Sequence, residues 1–180
     1  MNRAIFFDRD NTLIENVPYL GDPSKVNIFP YAKEVIKSLY EAGFKIIIIT
    51  NQAGVGRGYI TKEQVKAVND KVKDELGSNY FSGFYCCYDH PDSPVEHCRK
   101  PSPAMILKAQ QDHNIDLEKS YFVGDRLADV EAGKNAGCKC IFFLTDYHPE
   151  EDKQAKKLAD FVGQNLKDIG DWILNDSKKD

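Results

Sequence analysis

Short apolar runs alternate with amphipathic segments along the 180-residue chain. The runs of strand length cover 4–7, 45–50, 81–87, 120–123 and 139–144. Continuous hydrophobicity over so few residues is typical of parallel strands whose two faces are both buried. We therefore predict an α/β fold of three layers, in which a Rossmann-like parallel sheet is covered by helices on both faces and carries no separate cap domain.

Segments of helical period fill the intervals between these runs. The predicted helices cover 31–42, 62–76, 103–113 and 127–136, and two more follow His148. Gly43, Gly77 and Gly137 stand directly after three of them, where glycine commonly ends a helix. The chain shows no linker and no repeat. We expect one domain over 1–180, with the motif-bearing core at about 4–144 and the C-terminal helices at about 149–175.

Composition favours a soluble globular protein of the cytoplasm. Hydrophobic residues make up 42% and charged residues 29%, and the apolar runs are far shorter than the roughly 20 residues that a membrane span needs. The first residues lead directly into a strand, without a signal-peptide pattern. The 5 cysteines leave one unpaired under any complete pairing, which favours a reducing compartment and no disulfides. A formal net charge of -4 argues against a nucleic-acid partner.

Carboxylates follow two of the predicted strands. Asp8 and Asp10 come directly after the first strand, and Asp125 and Asp129 follow the fourth. The carboxyl ends of parallel strands border the ligand crevice of an open α/β sheet, so we expect these acids to meet at one site. A pair of acids two residues apart is also common in solvated turns, and Asp125 alone fits a helix N-cap equally well.

Polar and basic residues follow two other strands. Thr50 and Asn51 end the second strand and precede the glycine-rich segment QAGVGRG, whose backbone can approach an anion closely. Lys100 lies in the segment CRKPSP after the third strand. Taken singly, these features fit a strand-to-loop turn and a solvated lysine. A hydroxyl, free amides and an ammonium group together suit a phosphate.

The ordered pattern DxDxT, TN, K and GDxxxD resembles the haloacid dehalogenase superfamily of phosphatases. The resemblance implies that Asp8 attacks phosphorus to form an aspartyl phosphate, while Asp10 serves as general acid and then as general base. It also implies a magnesium ion held by Asp8, the Asp10 carbonyl and Asp125, which are the hard oxygen ligands that Mg²⁺ prefers. Asp129 would orient a metal-bound water or the motif lysine.

The same resemblance assigns Thr50 and Lys100 to the phosphoryl oxygens, where negative charge is spread during transfer. One position departs from the pattern, because the superfamily usually has glycine where this chain has Asn11. Asparagine is the non-glycine residue that best tolerates a positive φ. We expect the turn to be retained.

Three segments resemble the subfamily of heptose-bisphosphate and histidinol-phosphate phosphatases: FDRDNTLIENVPYLGDP, TNQAGVGRGYIT and CRKPSPAMI. The resemblance implies that Arg99 contacts the second phosphate of the substrate, with Asn51 and Arg57 as further substrate-binding residues. The gaps between motifs are too short for a cap domain, so short loops must select the substrate. A heptose bisphosphate is the favoured substrate, and histidinol phosphate is the alternative.

The subfamily often carries a zinc loop of the form CxH followed by CxC, which here reads CYDHPDSPVEHC. Asp89 and Glu96 stand at two of the four ligand positions. Zn²⁺ would need a shifted set of ligands, namely Cys87, His90, His97 and Cys98. We therefore favour a metal-free loop held by hydrogen bonds over a zinc site.

Two functions of other classes stay open at this point. The segment TNQAGVGRG is similar to one in the phosphatase domain of polynucleotide kinase, against which the net charge of -4 counts. A non-catalytic sugar-phosphate binder would not need all of the acids, the threonine and the lysine. We expect a small phosphorylated metabolite as partner, with no nucleic acid and no membrane. The pattern leaves the oligomeric state undetermined.

Overall fold

The computed structural model describes residues 1–93, 98–145 and 147–179. All the strands within these ranges belong to one sheet, and every neighbouring pair is parallel. They are β1 (Ala4–Phe7), β2 (Lys45–Asn51), β3 (Phe81–Cys87), β4 (Tyr121–Gly124), β5 (Lys139–Phe143) and β6 (Phe161–Gly163). Their spatial order is β3-β2-β1-β4-β5-β6, which is the doubly wound order of Rossmann folds. The predicted α/β class is confirmed.

Helices connect the strands and cover both faces of the sheet. They are α1 (Ala32–Glu41), α2 (Ala53–Gly56), α3 (Lys62–Leu76), α4 (Ala104–His113), α5 (Leu127–Ala136), α6 (Pro149–Leu158) and α7 (Leu166–Asp176). Helices α1, α3 and α7 contribute apolar side chains to one core, and α4, α5 and α6 contribute to the other. Among the described residues, no helix is long and apolar enough to cross a membrane.

The central strand β1 supplies both cores. Ile5 and Phe7 pack with α1, α3 and α7, whereas Ala4 and Phe6 pack on the opposite face. All four side chains are completely buried. Because successive residues of a strand point to opposite faces, a strand covered on both sides must be apolar throughout. Its polar groups can reach solvent only where the strand ends.

Predicted and observed bounds agree within one residue at each end for the nine elements predicted with bounds. Two helices follow His148, as expected, but the sequence missed β6 (Phe161–Gly163) between them. This strand has 3 residues, too few for a periodic signal, and it forms by pairing with β5. The four-residue helix α2 was also missed, because its glycine-rich sequence is typical of a loop.

Candidate active site

The ends of three strands meet at one edge of the sheet. Phe7 of β1 pairs with Ile48 of β2 on one side and with Val123 of β4 on the other. Strand order reverses between β1 and β4, which is where open α/β sheets bind ligands. A cavity of about 430 Å³ lies at this edge, within the size range of small-molecule sites.

A buried lysine lies between two carboxylates at this edge. The Lys100 ammonium donates to Asp8 Oδ1 and to the carbonyl oxygen of Ile49 at 2.7 and 2.8 Å, and it forms an ion pair with Asp129 Oδ1 at 2.7 Å. Lys100 is 4% exposed. Burial by itself would lower the pKa of this lysine, but the charges of Asp129 and Asp8 outweigh burial and raise it above its usual value. Lys100 is therefore a fixed positive charge.

Three buried carboxylates surround this lysine. One oxygen from each of Asp8, Asp125 and Asp129 lies within 4.8 Å of the others. Burial, offset only in part by Lys100, raises the pKa of Asp8 to about 7. Burial and the charges of Asp129 and Asp8 raise the pKa of Asp125 to about 8. Three acids facing one ammonium leave an excess of negative charge on hard oxygen donors, which fits a divalent cation such as Mg²⁺.

The structure brings Asp8 and Asp125 together as the sequence predicts, and Asp129 joins them as a third acid. Asp129 occupies the first turn of α5, where its Oδ2 accepts from the Arg126 amide at 3.1 Å. Gly124 makes this close approach possible, because a Cβ atom there would lie 2.3 Å from Asp129 Oδ2. A larger residue at 124 would displace the carboxylate.

The Asp10 carboxylate lines the same cavity but does not belong to this group of three acids. It accepts from the Arg9 guanidinium at 3.0 Å and from Gln52 Nε2 at 2.8 Å. Arg9 is 1% exposed, and its Nη1 donates to Asn69 Oδ1 on α3 at 2.8 Å. These contacts fix the orientation of Asp10 at the cavity wall.

Sequence reasoning missed Arg9, Gln52 and Asn69. Arg9 carried a usable signal, since it lies between two acids at the end of a buried strand. Asn69 carried another, since it is a polar residue on the apolar face of α3. Gln52 follows the TN pair directly, but nothing in its spacing indicates its contact with Asp10.

Thr50 and Asn51 both lie at this edge of the sheet, and Asn51 is the one of the two that lines the cavity. The Thr50 hydroxyl is completely buried and accepts from Gln52 Nε2 at 2.8 Å. Asn51 lines the cavity, but its carboxamide pairs with the backbone of Lys100, accepting from the Lys100 amide at 3.0 Å and donating to the Lys100 carbonyl at 3.3 Å. This contact positions the lysine.

The turn after Asp10 keeps the positive φ expected for it. Asn11 has φ 58, and its amide donates to the Ile14 carbonyl at 2.8 Å. The Asn11 side chain donates to Asp125 Oδ2 at 2.7 Å, and the Thr12 hydroxyl donates to Asp125 Oδ1 at 3.4 Å. Two residues of the DxDxT motif, Asn11 and Thr12, therefore donate hydrogen bonds to both carboxylate oxygens of Asp125 in the GDxxxD motif.

Besides Arg9, two further arginines line the cavity, and one of them, Arg126, was not predicted. Arg99 and Arg126 both contribute to its wall, whereas Arg57 is exposed and lies outside it. Burial and the charges of Arg126 and Arg57 lower the pKa of the Arg99 guanidinium. Arg126 Nε donates to Glu151 Oε2 of α6 at 2.9 Å. Among the described residues, none accepts a hydrogen bond from the Arg99 guanidinium, which lines the cavity.

Aromatic and polar side chains from two loops form the outer wall. Tyr19 and Asn16 follow β1, and Tyr147 and His148 follow β5. Asn16 Nδ2 donates to the Tyr147 hydroxyl across the cavity mouth. Such amphipathic side chains suit a ligand that has hydroxyl groups and an apolar ring face.

The cysteine loop contains a disulfide that the sequence did not predict. Cys87 and Cys98 form a disulfide with Cα atoms 5.5 Å apart, so the expectation of a chain without disulfides is wrong. Asp89 Oδ2 accepts from the Cys98 amide at 3.4 Å, and it belongs with the two cysteines to one cluster. Together they offer three possible metal donors, but while the disulfide is formed the two sulfur atoms are not the thiolates that zinc binds.

His90 does not join that cluster. Its Nδ1 accepts from the Asp92 amide at 3.1 Å, whereas Asp89 Oδ2 lies 3.5 Å from the sulfur atoms of Cys87 and Cys98. His97 lies outside the described residues. The shifted set of Cys87, His90, His97 and Cys98 is therefore not assembled among the residues that the structure describes.

The chain is similar to known proteins along most of its length. The family model described as HAD-hydrolase-like matches residues 97–169. The chain is 36% identical to D-glycero-D-manno-heptose-1,7-bisphosphate 7-phosphatase of Chlorobaculum tepidum, covering 91% of this chain and 90% of the relative. It is 34% identical to D-glycero-beta-D-manno-heptose-1,7-bisphosphate 7-phosphatase of Helicobacter pylori strain J99, covering 96% and 97%.

A solved structure has the same fold along nearly the whole chain. It is D,D-heptose 1.7-bisphosphate phosphatase from B. bronchiseptica complexed with magnesium and phosphate, with a TM-score of 0.86 and 24% sequence identity. The match covers 97% of this chain and 99% of that one.

We predict that Mg²⁺ stabilises the folded chain more at pH 8 than at pH 6. The pKa values of Asp8 and Asp125 are raised to about 7 and about 8 from 3.8. In the metal-free chain, the stability that these groups contribute is present below about pH 4 and is lost as pH rises through about 7 to 8. Mg²⁺ must displace their protons, so its apparent affinity rises by roughly tenfold per pH unit for each proton displaced.

Thermal unfolding with and without Mg²⁺ across this pH range measures the effect. The Asp125→Asn variant is the control, and it should lose most of the Mg²⁺-induced rise in Tm at pH 8. A rise in the wild-type Tm that does not change with pH would contradict the cation site.

Proposed function

Because the chain belongs to the D-glycero-D-manno-heptose-1,7-bisphosphate 7-phosphatase family of HAD-like phosphatases, we propose that it removes the 7-phosphate of a heptose 1,7-bisphosphate with Mg²⁺ and an aspartyl-phosphate intermediate. The observation that carries the proposal is the buried contact of Lys100 with Asp8 and Asp129, beside Asp125. A structural ion pair would not need a third buried acid at the mouth of a cavity.

The charges of this cluster suit phosphoryl transfer. Asp8, the Asp10 carbonyl and Asp125 would hold Mg²⁺, with Asp129 beside them. When bound, the ion offsets the repulsion between a phosphate dianion and an attacking carboxylate. Lys100 supplies a second positive charge, and Asn51 fixes the backbone that carries it. Thr50 would donate its hydroxyl hydrogen to a phosphoryl oxygen while its oxygen still accepts from Gln52.

The reaction has two steps. An Asp8 oxygen forms a bond to phosphorus while the ester bond to the sugar oxygen breaks, and Asp10 gives its proton to that oxygen. Asp10 then takes a proton from water, whose oxygen attacks the phosphorus and releases orthophosphate from Asp8. Arg9 and Gln52 keep the Asp10 carboxylate at the cavity wall through both steps.

The cavity wall supports a bisphosphate substrate. Arg99 has no acceptor among the described residues, and Arg126 lies nearby with its charge balanced by Glu151. A guanidinium fork binds a terminal phosphate better than a lysine does. The tyrosines of the outer wall would contact the sugar between the two phosphates. Histidinol phosphate, the alternative substrate, has no second phosphate for Arg99.

A panel of phosphorylated compounds tests the proposed function. We expect the highest kcat/KM on a heptose 1,7-bisphosphate, offered as both anomers, and lower values on histidinol phosphate and an oligonucleotide 3′-phosphate. A chelator should abolish activity, and Mg²⁺ should restore it, whereas Zn²⁺ alone should not. A preference for histidinol phosphate would make the alternative the better proposal. Hydrolysis of none of the compounds would contradict the function.

We predict that Arg99→Ala lowers kcat/KM for the bisphosphate by roughly one to two decades, since a charge-assisted hydrogen bond is worth about 1.5 to 3 kcal/mol. A monophosphate should lose much less. Arg57→Ala is the matched control, because Arg57 is exposed and outside the cavity, and it should change both values little. Equal losses on mono- and bisphosphates would mean that Arg99 serves the reaction centre or the fold instead.

A further inference from the structure

Asn11 makes two side-chain hydrogen bonds that its position in the turn does not require. The backbone there needs a residue that accepts φ 58, and glycine would meet this need without any side chain. The Asn11 carboxamide instead donates one hydrogen to Asp125 Oδ2 at 2.7 Å and the other to Thr145 Oγ1 at 2.9 Å. Asn11 is 8% exposed.

These two bonds connect the ends of three neighbouring strands. Asn11 follows β1, Asp125 follows β4 and Thr145 follows β5. β4 lies between the other two in the sheet. The Thr145 hydroxyl anchors the carboxamide from the β5 side, so the group cannot rotate away from Asp125 without losing both acceptors. The Asn11 carboxamide therefore holds the ends of β1, β4 and β5 in fixed positions at the cavity edge.

The charges of neighbouring carboxylates repel the Asp125 carboxylate, so its orientation depends on hydrogen bonds such as this one. Asp8 and Asp129 place carboxylate oxygens within 4.8 Å of its own. The Asn11 bond at 2.7 Å is much shorter than the Thr12 bond at 3.4 Å to the other oxygen. Mg²⁺ demands near-ideal octahedral geometry, so a ligand that is already oriented binds it more tightly. Groups that orient metal ligands are typically worth about 10- to 100-fold in metal affinity.

We propose that Asn11 is a positioning residue for the magnesium site. Its carboxamide, anchored by the hydrogen bond to Thr145 Oγ1, holds the Asp125 carboxylate in the orientation that binds the ion. The inference rests on the proposed function, since it takes Asp125 as a magnesium ligand. It assigns Asn11 no contact with the ion and no part in the chemical step.

Mg²⁺ titration calorimetry of the full chain in phosphate-free buffer tests the proposal. Asn11→Gly keeps the favoured backbone conformation and removes the carboxamide, and it should raise the Kd for Mg²⁺ about tenfold. The kcat at saturating Mg²⁺ should stay near that of the wild type, because Asn11 acts on ion binding alone.

The matched control is Asn114→Gly. Asn114 also has a positive φ, 51, but it ends α4 and lies outside the cavity. This variant should bind Mg²⁺ as the wild type does. Thr145→Val is a second test that leaves the turn untouched, and it should raise the Kd by a smaller factor.

If Asn11→Gly binds Mg²⁺ with the wild-type Kd, the proposal is overturned and the proposed function stays intact. If Asn11→Gly does not fold, a wild-type Kd in Thr145→Val has the same meaning. A large fall in kcat at saturating Mg²⁺ with an unchanged Kd would also overturn it. Failure of the wild type itself to bind Mg²⁺ and to hydrolyse any phosphate ester would instead overturn the proposed function, and this inference with it.

Discussion

The contact of a buried lysine with two buried carboxylates is the constraint on which the site depends. Lys100 is fixed by Asp8, Asp129 and the carbonyl of Ile49, which come from three different strand ends or helices. Taking these charges out of water is costly unless each is paired. One ammonium cannot balance all the acids that surround it, and Asp125 is the acid left over. This excess of acids beside one lysine is the basis on which we propose a cation at the site.

The order of strands explains why this cluster forms. β1 lies between β2 and β4, and the chain crosses from one half of the sheet to the other at that point. Asp8 follows β1 and Asp125 follows β4, two paired strands, and both residues line the cavity. Backbone hydrogen bonding continues beyond the paired strands, since the Asp8 amide donates to the Val123 carbonyl at 2.9 Å. The pairing of β1 with β4 therefore sets the positions of Asp8 and Asp125.

Much of this arrangement was predictable from sequence, because strand ends are visible as the limits of apolar runs. The family resemblance, which the relatives confirm, also pointed to Lys100 as a site residue. The pattern of strands alone would leave it as a solvated lysine. Contacts between distant segments were not predictable. The pairing of Arg126 with Glu151 and the chain from Asn69 through Arg9 to Asp10 join residues whose spacing follows no period. The Cys87–Cys98 disulfide was missed because cysteine number and chain length both argued against it.

The most direct test of the account is to trap a phosphoryl group on Asp8. In Asp10→Asn the general base for the second step is absent, and an aryl phosphate with an acidic phenol leaving group needs no general acid for the first. After mixing with Mg²⁺ and acid quenching, mass spectrometry of peptides should find phosphate on Asp8, approaching one per chain. The Asp8→Asn, Asp10→Asn double variant should carry none. Phenol release without any phosphorylated Asp8, or phosphate on another residue, would contradict the proposed role of this carboxylate.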